Sequence, residues 1–127
     1  MKSLIKLGSL FCIVTISANQ ALAETWVTTK EEYYGPPPQG VVRPYGNYGY
    51  RVQIDASSIV KRGSIAYYNV RLQFYGKDYS IITVEGGESM GRTFDCDSQK
   101  IFRSGEGKWV DANPRDILLP AAVWACR

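Results

Sequence analysis

Between Ile65 and Tyr75 the chain alternates without a break, and this stretch limits the fold more than any other. Ala66, Tyr68, Val70, Leu72 and Phe74 make one apolar face, while Tyr67, Asn69, Arg71, Gln73 and Tyr75 make an amphipathic one. Successive side chains on a strand point to opposite faces, so a period of two over this length specifies a strand with one covered face. A parallel sheet buries both faces and would show a continuous apolar run, which leaves an antiparallel sheet.

Weaker copies of the pattern surround it. Tyr50 to Asp55 places Tyr50, Val52 and Ile54 on one face and Arg51, Gln53 and Asp55 on the other. Glu24 to Thr29, Tyr79 to Glu85, Gly91 to Cys96, Lys100 to Ser104 and Lys108 to Val110 read as further strands, rich in β-branched and aromatic residues. Ala56 to Val60 predicts a turn or one helical turn, Lys61-Arg62-Gly63-Ser64 a bend, and Asp97-Ser98 the tip of a hairpin. Ile117 to Trp124 is apolar and runs into alanine, which suits a short helix closing over the sheet. Proline is tolerated only in a first helical turn, so that helix is expected from about Pro120 onward. The fold class is mainly β (α+β), a single antiparallel sheet of about five to six strands with a short C-terminal helix.

The N-terminus carries targeting information. Lys2 and Lys6 form a basic region, Leu7 to Ile16 an apolar run, and Ala21-Leu22-Ala23 a small-x-small cleavage site ahead of Glu24, the layout of a secretory signal. An apolar run of about ten residues falls short of the roughly 20 needed to span a bilayer, so no transmembrane anchor is expected. Residues 1–23 are read as the signal peptide and residues 24–127 as a single extracytoplasmic domain, periplasmic, secreted or at the cell surface. Phe11 directly before Cys12 does not suit a lipoprotein signal.

Of the three cysteines, Cys12 leaves with the signal, and Cys96 and Cys126 remain as an even pair in an oxidising compartment. A disulfide between them is expected, tying the helix end to the strand that ends at Cys96. Cleavage also removes Lys2 and Lys6, so 15 basic residues fall to 13 against 12 acidic ones. A balance so near neutral, with the basic residues dispersed, lacks the footprint of nucleic-acid binding.

Catalytic chemistry is missing from the composition. The chain has no histidine, and its two mature cysteines are committed to each other. Ser-His-Asp and Cys-His nucleophilic arrangements and the usual zinc ligand sets are therefore ruled out. Asp95 and Asp97 at i and i+2 raise the idea of a carboxylate pair or a hard-cation site, but Asp-Cys-Asp-Ser reads more simply as a strand running into a turn. Gly86-Gly87 and Gly105-Glu106-Gly107 lack the strand and helix context of a phosphate loop. No enzymatic activity, catalytic residue, metal or cofactor is expected.

From residue 31 to 49 the texture changes. Pro36, Pro37, Pro38 and Pro44 are interleaved with Tyr33, Tyr34, Tyr45 and Tyr48 and with glycine. Proline removes ladder donors and glycine raises the entropy of ordering, so a long connecting loop is expected here.

Four features carry a family resemblance. They are Trp26-Val27 near the mature N-terminus, the segment Val52 to Ile59 followed by a basic turn with Gly63, Asp95-Cys96 at a strand end, and Trp109 with Pro114 ahead of Cys126. Asp116 takes the position of a polar helix cap. In these the chain resembles the surface-adhesin protein E family of small bacterial extracytoplasmic proteins, typified by protein E of Haemophilus, across most of residues 50–127 and the Trp26 strand. The resemblance implies an antiparallel sheet with a C-terminal helix held by a disulfide, and a binding role at the cell surface. It also implies an extracellular-matrix protein or a cell-envelope component as partner, and a homodimer. The proline-tyrosine loop is an insertion relative to the family, and the matching positions are scaffold, so no binding residue is carried over.

The functional expectation is a non-enzymatic binding domain for protein or envelope partners, with a carbohydrate- or peptidoglycan-binding module as the alternative. The candidate contacts are Tyr33, Tyr34, Tyr45 and Tyr48 in the loop, and Tyr67, Arg71 and Tyr75 on the amphipathic face. Tyrosine combines a large apolar ring with a polar tip, which suits both protein contact and stacking on sugars.

Overall fold

The computed structural model describes residues 23–43, 47–83 and 89–127. The signal segment up to residue 22, Tyr45, and the expected strand positions Val84 and Glu85 lie outside the described residues. Among the described residues eight strands form one antiparallel sheet: β1 (Trp26–Tyr33), β2 (Gly49–Asp55), β3 (Val60–Arg62), β4 (Ile65–Tyr75), β5 (Ile81–Thr83), β6 (Met90–Asp95), β7 (Lys100–Arg103) and β8 (Lys108–Asp111). An α-helix, α1 (Leu119–Ala125), follows.

The 11-residue β4 is the spine of the sheet. Along one edge it pairs with β3 at residues 65–67 and with β2 at 70–75; along the other it pairs with β6 at 65–70 and β5 at 73–75. Two pairs of strands thus lie end to end beside β4, and the sheet path β1-β2-β4-β6-β7-β8 has the expected width. The short β3 replaces the expected bend at Lys61-Arg62, with the reversal at Gly63-Ser64. Its three residues are all exposed, so no periodicity announced it.

The core lies where the alternation put it. Tyr50, Val52 and Ile54 of β2, Ala66, Tyr68 and Val70 of β4, and Phe94 and Ile101 of the next strands pack against Ala121, Ala122 and Ala125 of α1. Small alanines let the helix approach the sheet closely, and Leu119, Trp124 and Leu72 complete the layer. Pro120 sits within the first turn of α1, where its missing donor costs nothing. Asp116 is not the helix cap itself; its Oδ1 accepts from Leu118 N at 2.9 Å and so shapes the turn before the helix.

Cys96 and Cys126 are disulfide-bonded with Cα atoms 5.8 Å apart. Both half-cystines pack against the core from its rim. The bond fixes the C-terminal end of α1 to the end of β6, as the sequence suggested.

The face opposite the helix departs from expectation. Gln53 and Asp55, placed by pattern on a solvated face, are buried, and so is Tyr75. Cross-strand partners account for it. Gln53 lies opposite Arg71, accepting from Arg71 Nε at 2.8 Å and donating to Thr28 Oγ1 at 3.0 Å. Arg51 Nε donates to Gln73 Oε1 at 2.7 Å. The Arg71 guanidinium lies 4.0 Å from the centre of the Trp26 ring, a distance at which the ring quadrupole attracts a cation. A polar lattice bridging three strands therefore covers the outer face of the sheet centre.

Candidate functional site

At one end of the sheet, tyrosines from four chain segments converge. Tyr33 ends β1, Tyr48 precedes β2, Tyr75 ends β4, and Tyr79 closes a 3₁₀ turn (Lys77–Tyr79) between β4 and β5. The Tyr33 and Tyr79 rings stack at 4.2 Å and 19°. Tyr75 meets both edge-on, at 5.9 Å from Tyr33 and 5.7 Å from Tyr79, and Tyr48 lies 6.5 Å from Tyr33. The two edge-to-face pairs lie in the range of favoured aromatic separations, and the Tyr33–Tyr79 pair is stacked closer still.

Strand register builds this cluster. Tyr33 pairs with Gly49, and Gly49 pairs with Tyr75, so the three residues form one cross-strand row. Gly49 supplies no side chain between the two rings, and a Cβ there would stand 2.2 Å from the Glu32 carbonyl oxygen. Tyr75 is 5 % exposed, with its hydroxyl donating to Glu31. Burial, followed by the hydrogen bond to Glu31 and that residue's charge, raises the Tyr75 phenol above its usual range.

The outer layer of the cluster is open. Tyr79 is 63 % exposed and Tyr33 37 %. Asp78 and Tyr79 both have positive φ, 58° and 60°, a region that non-glycine residues adopt at a cost. Two such residues in a row hold the Tyr79 ring on Tyr33. Tyr79 was expected at the start of a strand; the signal that marks its true position is Gly76-Lys77-Asp78, a turn composition that the β-rich run after it masked.

The proline-rich loop is tied at its base. Tyr34 N and Gly35 N donate to Tyr48 O at 2.7 and 3.1 Å, and Tyr48 N donates to Tyr75 O at 2.6 Å. Arg43 Nη1 donates to Gly35 O at 2.8 Å, while its guanidinium lies 4.8 Å from the Tyr34 ring centre. The loop is shorter than expected, because β1 continues to Tyr33 through Lys30, Glu31 and Glu32 and puts Tyr33 on a strand. An edge strand with mostly exposed side chains shows no alternation, and a bulge between Thr28 and Lys30 breaks what remained.

The structure thus brings Tyr33, Tyr48 and Tyr75 together, adds Tyr79, and places Tyr34 beside Arg43 and 6.3 Å from Tyr50. It separates Tyr67, which stands exposed on the other half of β4 in a shallow groove with Val60 and Arg62. Of the other two candidates, Tyr75 is buried beneath Tyr33 and Tyr79, and Arg71 is engaged by Gln53 and Trp26. Tyr45 lies outside the described residues.

Asp95 and Asp97 form a turn. Asp95 Oδ1 accepts from Asp97 N at 3.0 Å and Ser98 N at 3.3 Å. Desolvation opposes ionisation of Asp95, but the Asp97 and Ser98 amides together with the Ser98 and Ser64 hydroxyls outweigh it and hold the carboxyl below its usual range. Among the described residues no group of three or more His, Cys, Asp or Glu side chains is placed to hold a metal ion. Among the same residues no helix is long and apolar enough to cross a membrane.

Comparisons with protein-family models, with curated proteins and with solved structures give no match to this chain.

Proposed function

We propose that the protein is a non-enzymatic extracytoplasmic binding domain, exported by the signal in residues 1–23, whose contact surface is the tyrosine cluster at the end of the sheet. The single observation that supports this most is the Tyr33–Tyr79 stack, exposed on a turn with two consecutive left-handed residues. Backbone strain of this kind persists where the surroundings over-determine it, and it collects at binding sites. Rigid tyrosines offer contact area at little entropic cost. The partner class is a matrix protein or an envelope component, in keeping with the resemblance to surface-adhesin protein E. The Cys96–Cys126 bond is compatible with the oxidising compartment such a role requires.

A carbohydrate- or peptidoglycan-binding role uses the same rings. Tyr79 is the most exposed tyrosine among the described residues, and a single open ring face is what a sugar stacks on. Tyrosine nitration separates the possibilities. The purified protein is treated with tetranitromethane alone, on isolated envelopes, on immobilised matrix proteins and with soluble peptidoglycan fragments. Severalfold protection of Tyr79 and Tyr34, with Tyr67 unchanged, supports the cluster as the contact, and the protecting surface names the class. Protection of Tyr67 alone contradicts it.

A further inference from the structure

A second surface lies away from the tyrosines, between the outer edge of β1 and helix α1. A groove of about 600 Å³ runs there, floored by Leu119, Val123 and Trp124 and edged by Thr28 to Lys30. Val123 is 52 % exposed on the helix. Three cations border the groove, Lys30, Arg115 and Arg127, the last with its guanidinium 5.4 Å from the centre of the Trp124 ring, against one acidic side chain, Asp116, whose Oδ1 accepts from Leu118 N. Neither Lys30 nor Arg115 makes an ion pair with another described residue.

The bulge in β1 creates this charge pattern. Thr28 pairs with Gln53 and Lys30 with Val52, so Thr29 is the extra residue. In regular alternation Lys30 would share the face of Thr28, opposite the helix. The extra residue moves Lys30 to the face of Val52, which is the helix face, and so into the groove. Bulges commonly re-aim a side chain in this way.

β1 is also the first strand of the sheet path, so its outer edge is unpaired among the described strands. It is eight residues long, whereas edge strands without a partner are usually kept short. The edge offers main-chain donors and acceptors, the groove beside it takes every second side chain of an added strand, and the rim selects for negative charge.

We infer that β1 accepts an extended acidic peptide segment as an added strand, with an aromatic or branched apolar side chain seated on Trp124 and Val123 and flanking carboxylates at Lys30, Arg115 and Arg127. An anionic lipid would use the cations and the apolar floor but leave the strand edge unused. Three cations with an acid among them are too few for nucleic acid, which is held by arrays of phosphate contacts.

The test is titration of isotope-labelled purified protein with the blocked heptapeptide TETFTET, followed by amide shifts. Two control peptides are TKTFTKT and TETFTET methylated on the backbone nitrogens that would face β1. The expected result is saturable shifts along β1 and α1 with a Kd below about 1 mM. Binding should weaken at least tenfold in Lys30→Glu, Arg115→Glu and Val123→Glu, and no binding is expected for either control. The three substituted positions are exposed, so unchanged melting temperatures accompany the loss, and any one folded variant suffices. Absence of saturable shifts, equal binding of TKTFTKT, or shifts that map away from β1 would overturn the inference. Full binding of the methylated peptide, with displacement by dodecanoate, would replace it with a lipid-type site.

Discussion

Tyr33 and Tyr75 pack edge-on with ring centres 5.9 Å apart although a whole strand lies between them. The strand residue in that row is Gly49, which puts no side chain between the rings and lets the β1 backbone come close. Gly49→Ala sets a methyl group 2.2 Å from the Glu32 carbonyl oxygen, which forces β1 away from β2. The expected cost is about 1–3 kcal/mol, the range for overpacking a tight site. Chemical denaturation checks it, and near-ultraviolet dichroism should lose its tyrosine signal in the same variant.

The disulfide closes a loop with a sequence separation of 30. In the chain-entropy account this removes roughly 3 to 4 kcal/mol of denatured-state freedom. Cys126→Ser should therefore lower stability by about 2–5 kcal/mol, the range for loss of a native bridge. Two titratable thiols in the unreduced, denatured protein, or an unchanged melting temperature in the variant, would contradict this.

Asp55 gives the protein an acid-sensitive joint between β1 and β2. Its burial opposes ionisation, but the Ser57 hydroxyl, the Thr25 and Ser57 amides and the nearby Arg71 charge together lower its pKa from the usual 3.8. A carboxyl whose pKa is lower in the folded state stabilises it above the unfolded pKa. That contribution is lost as pH falls through the folded value. Stability should decline below about pH 4, and Asp55→Asn should flatten the decline while reducing stability at neutral pH. Melting temperatures across pH 2–7 measure both effects.

The strands that the sequence disclosed are those whose polar and apolar residues alternate. β4 and β2 alternate polar and apolar residues because each packs its apolar side on α1, although in β2 the polar Gln53 and Asp55 are buried as well. Less visible were elements whose faces do not differ. β3 is exposed throughout, and the second half of β1 is mostly exposed and interrupted by a bulge. Burial of Gln53, Asp55 and Tyr75 follows from cross-strand partners far apart in the chain, such as Arg71 for Gln53, and one-dimensional periodicity contains no such pairing. The same holds for the candidate site. Composition marked residues 33–50 as tyrosine-rich, but Tyr79 joins them only because β4 returns beside β2 and the turn after it folds back onto Tyr33.

Tyr33 and Tyr79 stack on the exterior, so removing them should not unfold the domain. Tyr79→Ala is expected to stay within about 1 kcal/mol of the parent, the range for surface sites. Tyr75→Ala should lose about 3–5 kcal/mol, as truncation of a buried aromatic does. Urea midpoints of the two variants distinguish an outer contact layer from a packed base.

The most direct test of the account is the binding of Tyr79→Ala, compared with the parent and with Tyr67→Ala, to isolated envelopes, immobilised matrix proteins and peptidoglycan. Tyr79→Ala should lose at least tenfold in binding at unchanged melting temperature, and Tyr67→Ala should bind like the parent. Parental binding by Tyr79→Ala to a surface that holds the parent protein would contradict it.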